Sequence, residues 1–263
     1  MILFNVKVSF HFSIYYRMDM VKAYFLSDIH LGTDDSPEEH KRQKVFLDFL
    51  YNIKNEASHI YFVGDLFDFW FEYNYVVPKK YFEFLHCFRS LTEKGIKLYY
   101  LAGNHDFSLG TFFDNYVKIE TYHDEYTFEL ADKKFYLWHG DGLGKKDGGY
   151  RFLKKVMRNR INQKLFRLLH PDFGIPFARF VSGSSRLYTN QLNHLRDESD
   201  YFEFAEKQFL NGFDYVMMGH RHNPLVHQVG EKKYINLGDW INHFSYAFFN
   251  GQTLELKKYG ETK

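Results

Sequence analysis

The sequence is short of cysteine, of net charge and of long apolar runs, and each shortage excludes a class of protein. A single cysteine, Cys87, excludes an intramolecular disulfide and is typical of a reducing compartment. The formal net charge of +1 argues against a general attraction to nucleic acid, and no nucleic-acid motif is present. A membrane span needs about 20 consecutive apolar residues, and no such run is present, so we expect a soluble, cytoplasmic protein.

What the chain does contain is enough apolar side chain for a sizeable core. Hydrophobic residues make up 45% and aromatic residues 21% of the 263 positions, which suits one domain with an insertion. Residues 1–20 are apolar but lack the basic start and the small-residue cleavage site of a signal peptide. We expect 1–20 to be an N-terminal extension, with Met18 or Met20 as the alternative start, and residues 21–263 to form the domain.

The stretch at residues 60–65 is the centre of the predicted fold. It is a short run of β-branched and aromatic residues that stops at Gly64 and Asp65, which is typical of a buried parallel strand that presents a carboxylate at its end. A strand at 21–26 and a helix at about 38–56 precede it. The order is therefore β-α-β, and a helix at 81–93 and a strand at 96–101 repeat the pattern.

Strands dominate the rest of the pattern. Residues 126–130 and 134–138 read as a hairpin, and 215–218 as another buried strand. Three last strands, at 233–237, 246–249 and 253–256, are expected to form a closing sheet.

Five predicted strand ends carry side chains that suit a metal ion. Residues two apart in an extended chain point to the same side, so a pair such as Asp28 and His30 converges on one point. Imidazole, carboxylate and amide groups without a thiolate suit Mn, Fe or Zn rather than a closed structural zinc site. These candidate ligands outnumber the positions around one tetrahedral ion and fit two ions with a shared carboxylate. The set is Asp28, His30, Asp65, Asn104, His139, His220 and His222.

The order of the motifs resembles that of the calcineurin-like metallophosphoesterases. It runs Asp-x-His at 28–30, Gly-Asp at 64–65, Gly-Asn-His-Asp at 103–106, His-Gly-Asp at 139–141 and Gly-His-x-His at 219–222. The resemblance implies an α/β fold, a double β-sandwich flanked by helices, and two divalent ions, for which we expect Mn²⁺. It assigns one ion to Asp28, His30, Asp65 and His222, and the other to Asp65, Asn104, His139 and His220.

Two-metal chemistry then supplies the expected mechanism. Two ions about 3.5–4 Å apart lower the pKa of a bridging water and neutralise charge that builds on phosphorus, so no protein nucleophile is required. Asp65 is the expected bridge. His105, with its ring oriented by Asp106, is expected to stabilise the transition state or to protonate the leaving oxygen. Asp141 is expected to hold a ligand in place.

The segment at about 145–195 is expected to be a helical lid. Between residues 145 and 186 it has eleven Lys and Arg against two Asp, together with apolar residues at helical spacing. A basic, amphipathic lid suits an anionic substrate with an apolar part, or a membrane surface. The alternative is a pair of packed helices with a solvated basic face.

A narrower resemblance concerns residues 139–150 and 64–70, which are similar to segments of bacterial UDP-2,3-diacylglucosamine pyrophosphatases of the lipid A pathway. It implies cleavage at the α-phosphorus, which places the oxygen of water on UMP and releases 2,3-diacylglucosamine 1-phosphate (lipid X), with a cap that grips the acyl chains. Transient contact with the inner membrane is expected, and no obligate protein partner is indicated. Those enzymes usually have Arg where this chain has His105, which leaves open a broader phosphodiesterase or phosphomonoesterase; a non-catalytic scaffold is a third alternative. The expected substrate-binding residues are Asp147, Tyr150, Arg179 and Arg186.

Overall fold

Two β-sheets, of six and five strands, lie face to face in a computed structural model that describes residues 21–106, 108–144, 148–178 and 198–260. The N-terminal extension expected at 1–20 lies outside the described residues. The strands are β1 (Ala23–Leu26), β2 (His59–Val63), β3 (Lys97–Leu101), β4 (Glu120–Tyr122), β5 (Tyr126–Leu130), β6 (Lys133–Leu137), β7 (Tyr215–Met218), β8 (Leu225–Val229), β9 (Lys232–Asn236), β10 (Ser245–Phe249) and β11 (Leu254–Lys258).

Helices cover the outer faces of the sheets and form the insertion. A single 3₁₀ turn (Lys79–Tyr81) and a short π-helix (Phe113–Val117) also occur. The α-helices are α1 (Pro37–Ile53), α2 (Phe82–Glu93), α3 (Gly148–Met157), α4 (Arg160–Arg167), α5 (171–178) and α6 (Ser199–Leu210). No helix in the described part of the chain combines the length and the apolar character that a membrane crossing requires.

The first sheet has the strand order β11-β10-β1-β2-β3-β4, and the second has β5-β6-β7-β9-β8. In the first, β1, β2 and β3 are parallel, as the repeated β-α pattern predicts, and β4 pairs parallel with β3. The expectation of one closing sheet near the C-terminus is wrong, because β9 pairs with β7 in the second sheet while β10 pairs with β1 in the first. Strand pairing is a non-local property, and periodicity along the chain does not determine it.

The core has three layers because the central strands are buried on both faces. Along β1, Tyr24 and Leu26 pack towards α1 and α2, whereas Ala23 and Phe25 pack between the sheets. A third cluster lies between the second sheet and α6. These layers make the αββα double sandwich that the sequence predicts.

Stacked aromatic rings fill the space between the sheets. The Tyr61 ring lies 4.7 Å from Phe25 and 4.6 Å from Tyr99, both within the first sheet, and 4.8 Å from Phe128 of the second. Large rings bury much apolar area and prefer offset stacking over loose contact. The high aromatic content therefore fixes the two sheets against each other, and with them the loops at their carboxyl ends.

Candidate metal centre

The loops that follow six strands meet at one end of the sandwich. Three belong to the first sheet, after β1, β2 and β3, and three to the second, after β6, β7 and β9. The carboxyl ends of parallel strands in a sheet share an edge, so short loops there bring distant residues together. Every ligand predicted from the sequence lies in one of these loops.

Asp65 lies between the two sheets at the centre of this cluster. Its Oδ2 is 3.3 Å from His139 Nε2 and 3.7 Å from His30 Nε2, while Oδ1 accepts a 2.9 Å hydrogen bond from the His105 amide. The carboxylate is 1% exposed. One carboxylate thus faces imidazoles on both sides, which is the arrangement required of a bridge between two ions.

On one side, Asp28, His30 and His222 form a three-residue group. Asp28 Oδ1 lies 3.1 Å from His222 Nε2 and 3.7 Å from His30 Nε2. Asp28 Oδ2 is used differently, since it accepts hydrogen bonds from Ser27 Oγ at 2.7 Å and from the His220 amide at 2.8 Å. The carboxylate is thereby held with Oδ1 turned towards both imidazoles.

On the other side, Asn104 brings its amide oxygen between two histidines. Asn104 Oδ1 lies 3.1 Å from His139 Nε2 and 2.9 Å from His220 Nδ1. The opposite ring nitrogen of His139, Nδ1, lies 3.0 Å from the Val63 carbonyl oxygen and donates to it. This bond selects the tautomer that leaves the Nε2 lone pair for a metal ion.

The backbone of this cluster is strained. Five of the nine non-glycine residues with positive φ in the described chain are predicted ligands: Asp28 (53°), His30 (48°), Asp65 (52°), His220 (65°) and His222 (53°). Each such residue costs about 1–3 kcal/mol and persists only where the surroundings impose it. Concentration of strain at one site is typical of function rather than of fold.

Glycines let the loops approach each other. A Cβ on Gly64 would overlap the His139 ring, one on Gly103 would overlap the Asp65 carboxylate, and one on Gly219 would overlap Ser27 and Asp28. These are the glycines of the Gly-Asp, Gly-Asn-His and Gly-His motifs. Their presence before a ligand is therefore a requirement of close packing.

Electrostatics divides the histidines into two kinds. Burial lowers the pKa of His30 and of His220 to about 4, so both are neutral at pH 7. Burial acts in the same direction on His139 and His222, but the carboxylate of Asp65 raises the pKa of the first to about 10, and that of Asp28 raises the pKa of the second to about 10. The carboxylates of Asp65 and Asp28 thus stabilise positive charge at the centre, whether on an imidazolium or on a metal ion.

The residues present fit divalent ions. Asp28 Oδ1 is buried and faces the imidazole nitrogens of His30 and His222. Ligand atoms of Asp28, His30 and His222, and likewise of Asp28, Asp65 and His139, lie within 4.8 Å of one another. Nitrogen and oxygen donors without thiolate suit Mn, Fe or Zn.

A model of the calcineurin-like phosphoesterase family matches residues 21–224. The chain belongs to this family. The UDP-2,3-diacylglucosamine hydrolase of Porphyromonas gingivalis is 33% identical and aligns over 90% of this chain and 97% of its own. That of Haemophilus influenzae is 29% identical over 86% and 93%. A phosphoesterase from E. coli of known structure covers 91% of this chain and 94% of its own at 15% identity, with a TM-score of 0.45, and the family assignment rests on the sequence comparisons.

His105, the expected catalytic residue of this phosphoesterase, lies beside the Asp65 carboxylate. Its Nε2 is 4.0 Å from Asp65 Oδ2, and its Nδ1 donates a 2.8 Å hydrogen bond to the Asp68 carbonyl. Asp106 was expected to orient this ring, but its carboxylate accepts hydrogen bonds from the amides of Gly103 at 2.6 Å and Leu66 at 2.7 Å and from the Tyr100 hydroxyl. Asp106 thus organises the backbone of two loops, and burial with the nearby Asp65 charge raises its pKa to about 6.

Sequence reasoning missed two carboxylates of the site. Asp239 Oδ2 lies 3.5 Å from His222 Nδ1, and its Oδ1 accepts hydrogen bonds from the amides of Ile241, Asn242 and His243. Asp68 Oδ1 lies 3.8 Å from His30 Nδ1. The signal for Asp239 was present, because it follows β9 as Gly-Asp in the way that Asp65 follows β2.

The basic face of α3 contacts the body of the domain. Lys154 Nζ lies 2.7 Å from Asp141 Oδ2, two residues after His139. Arg151 donates to the carbonyls of Gly142 and Gly144 at 3.1 and 2.9 Å, and Arg158 pairs with Asp124 at 2.6 Å. Three of the basic residues counted in the sequence therefore anchor the insertion.

An apolar cavity of ≈ 190 Å³ lies where the insertion meets the body. Its floor comes from the segment after Asp65, which connects the metal centre to the cavity. The Asp68 carbonyl accepts a hydrogen bond from His105 Nδ1, and the next residue, Phe69, lines the cavity. The remaining walls come from residues of helices α3, α4 and α5. The lining includes Phe69, Phe71, Val156, Met157, Phe166 and Ala178.

The predicted substrate-binding residues lie wholly or partly outside the described part of the chain. Asp147, Arg179 and Arg186 lie outside the described residues. Tyr150 lies on α3, and its side chain is outside the described part. Their roles stay predictions.

Proposed function

We propose that this chain hydrolyses the pyrophosphate bond of UDP-2,3-diacylglucosamine and releases UMP and 2,3-diacylglucosamine 1-phosphate. The observation that carries the proposal is the convergence of two donor sets on Asp65. The substrate is inferred from two relatives that carry this hydrolase name and align over nearly their whole length. The metal ligands are the seven residues predicted from the sequence.

The bound ions, for which we propose Mn²⁺, would activate water and neutralise charge on the phosphoryl group. Asp28, His30 and His222 would hold one ion, Asn104, His139 and His220 the other, and Asp65 both. His105 lies at the edge of the centre with Nδ1 donating to the Asp68 carbonyl, and its Nε2, which faces Asp65, would serve a leaving oxygen or a phosphoryl oxygen. Asp239 and Val63 orient His222 and His139.

The apolar part of the substrate has a candidate site in the cavity beside Phe69. Its walls are mainly aromatic and aliphatic, and the segment from Asp68 to Phe71 links it to the metal centre. An apolar pocket of this kind suits a hydrocarbon chain better than a sugar. We therefore place part of an acyl chain there, held between the body and helices α3 to α5, which would act as the lid.

The outer surface of the insertion suits contact with the cytoplasmic face of a membrane. Leu165 (59%), Leu168 (82%) and Phe173 (75%) are exposed apolar residues, and Arg160 and Lys164 are exposed cations on the same helix as Leu165. Apolar and basic groups together favour anionic lipid surfaces. We expect Leu168→Asp to weaken flotation with anionic vesicles, and unchanged flotation would reject this contact.

The test of the function is a substrate comparison. Metal-stripped protein reconstituted with Mn²⁺ is given UDP-2,3-diacylglucosamine, the unacylated UDP-glucosamine and a chromogenic phosphodiester. The proposal predicts rapid UMP release from the acylated substrate only. Equal turnover of all three would favour the broader phosphodiesterase that His105, in place of the usual Arg, leaves open.

The cavity has its own variant. Phe166→Ala removes a wall of the cavity whose ring lies 4.7 Å from that of Phe71. It is expected to raise the KM for the acylated substrate and to leave the chromogenic ester unaffected. Phe152→Ala, on α3 and 71% exposed, is the control. An equal change of KM in both variants would contradict the placement of an acyl chain in this cavity.

A further inference from the structure

A buried arginine on α1 reaches the metal-centre loops from beneath. Arg42 is 9% exposed, and Glu39, one turn earlier, is 4% exposed. Glu39 Oε2 accepts from Arg42 Nε at 2.8 Å and from Nη2 at 2.6 Å. Replacement of a buried ion pair by apolar residues is often neutral or stabilising, so such a pair is weak evidence for a role in stability.

The guanidinium has five N–H donors, and the structure supplies an acceptor for each. Nε and one Nη2 proton are donated to the Glu39 carboxylate. The second Nη2 proton is donated to the His30 carbonyl at 2.7 Å. Nη1 donates to the carbonyl of Ile29 and, at 3.3 Å, to that of Trp240. A lysine has three donors on one atom and cannot reproduce this fork.

The three carbonyls belong to two loops of the metal centre. Ile29 and His30 lie in the loop after β1, where His30 has a φ of 48°. Trp240 follows Asp239, the residue that faces His222, and its amide donates to the Asp28 carbonyl at 3.1 Å. Arg42 therefore ties the loop that carries Asp28 and His30 to the turn that orients His222.

Arg42 makes no bond to the separate ligands of the second ion. Asn104 follows β3 and His139 follows β6, while His220 shares the loop after β7 with His222 and donates its amide to Asp28 Oδ2. His139 is fixed by the Val63 carbonyl instead. A loss of the Arg42 bonds should thus act unequally on the two halves of the centre.

We propose that Arg42, held by Glu39, is a positioning residue for one ion of the pair, the ion bound by Asp28, His30 and His222. The inference rests on the two-ion centre of the proposed function. Loss of an outer partner of a metal ligand weakens affinity about 10- to 100-fold. Removal of the guanidinium should lower the affinity for this ion by that factor and leave the affinity for the other ion unchanged.

The test counts bound Mn²⁺ and does not use activity. Metal-stripped wild type, Arg42→Met, Arg42→Lys and Glu39→Gln are titrated with Mn²⁺, and free ion is followed by electron paramagnetic resonance. His222→Ala marks the loss of the first site. Arg89→Met is the control, because Arg89 is a half-exposed arginine on α2 that pairs with Glu93 at 2.8 Å.

The expected result is two tightly bound ions on wild type and on Arg89→Met, and one tightly and one weakly bound ion on each Arg42 variant. Arg42→Met combined with His222→Ala should bind the remaining ion no more weakly than His222→Ala alone. Two unchanged ions, or equal weakening of both, would overturn the inference. If Arg42→Met fails to fold by circular dichroism, Arg42→Lys decides. Fewer than two ions on wild type would reject the two-ion centre itself.

Discussion

Asp65 Oδ2 lies 3.3 Å from His139 Nε2, and this contact joins the first sheet to the second at the metal centre. The two residues are 74 positions apart in the numbering, after β2 and β6. The approach depends on Gly64, where a side chain would occupy the place of the His139 ring. The position of Asp65 against His139 is therefore set by the backbone at Gly64 as much as by the carboxylate.

Gly64→Ala tests this close approach. Gly64 has a φ of +84°, and Gly95 has a φ of +88° with no atom within 4 Å of its would-be Cβ. Both substitutions carry the left-handed penalty of about 1–2 kcal/mol. Gly64→Ala also forces His139 to move, which should add about 1–3 kcal/mol and weaken Mn²⁺ binding. Chemical denaturation and metal titration of both variants measure the difference, and equal losses would contradict the clash.

Metal binding should release protons. At pH 8 the carboxylates of Asp65 and Asp28 keep His139 and His222 protonated in the metal-free protein, since each has a pKa raised to about 10. An ion binds the neutral imidazole, so about two protons should be released and affinity should increase with pH up to about 10. Calorimetry in two buffers of different ionisation enthalpy counts them. No proton release at pH 8 would contradict the charge state described for the site.

His105→Ala should separate catalysis from metal binding. The ring nitrogen Nε2 lies 4.0 Å from Asp65 Oδ2, and Nδ1 is held by the Asp68 carbonyl. Loss of a general acid lowers kcat by about 10²–10⁴-fold, with Mn²⁺ binding retained. The loss should be smaller for a substrate with a good leaving group. His86→Ala, an exposed histidine on α2, is the control. Loss of Mn²⁺ binding in His105→Ala would instead make His105 a ligand.

Lys154 should stabilise the attachment of α3. Its Nζ pairs with Asp141 Oδ2 at 2.7 Å, and Asp141 is 3% exposed. Lys154→Ala leaves that carboxylate buried with a lost partner, at a cost of about 1–3 kcal/mol. Lys155→Ala, on the next and exposed residue, should cost nothing measurable. Thermal unfolding measures the stability of both variants. Asp141→Asn in the Lys154→Ala background should recover part of the lost stability. Equal melting temperatures for the two alanine variants would contradict a stabilising role for the Lys154–Asp141 pair.

The sequence predicted which side chains gather at this end of the sandwich, because one local rule, a polar residue after a buried strand, applies to each proposed ligand. The same rule would have found Asp239 after β9. Arg42 could not be found in this way, since Glu39 and Arg42 read as an ordinary surface pair three residues apart on a helix. The strands β4 and β8 were not predicted because neither contains a buried residue, so neither stands out as an apolar run in the sequence. Which sheet receives β9 depends on pairing between distant segments.

The most direct measurement of the central claim is UMP release from UDP-2,3-diacylglucosamine in ¹⁸O-labelled water by metal-stripped protein, before and after Mn²⁺ is added. Asp65→Asn, which keeps the shape of the bridge and removes its charge, is run beside it. The account predicts UMP only after Mn²⁺ addition, with the label in UMP, and a rate on the order of 10³-fold lower for Asp65→Asn. Release of UMP without a metal ion, or label in the lipid 1-phosphate, would contradict it.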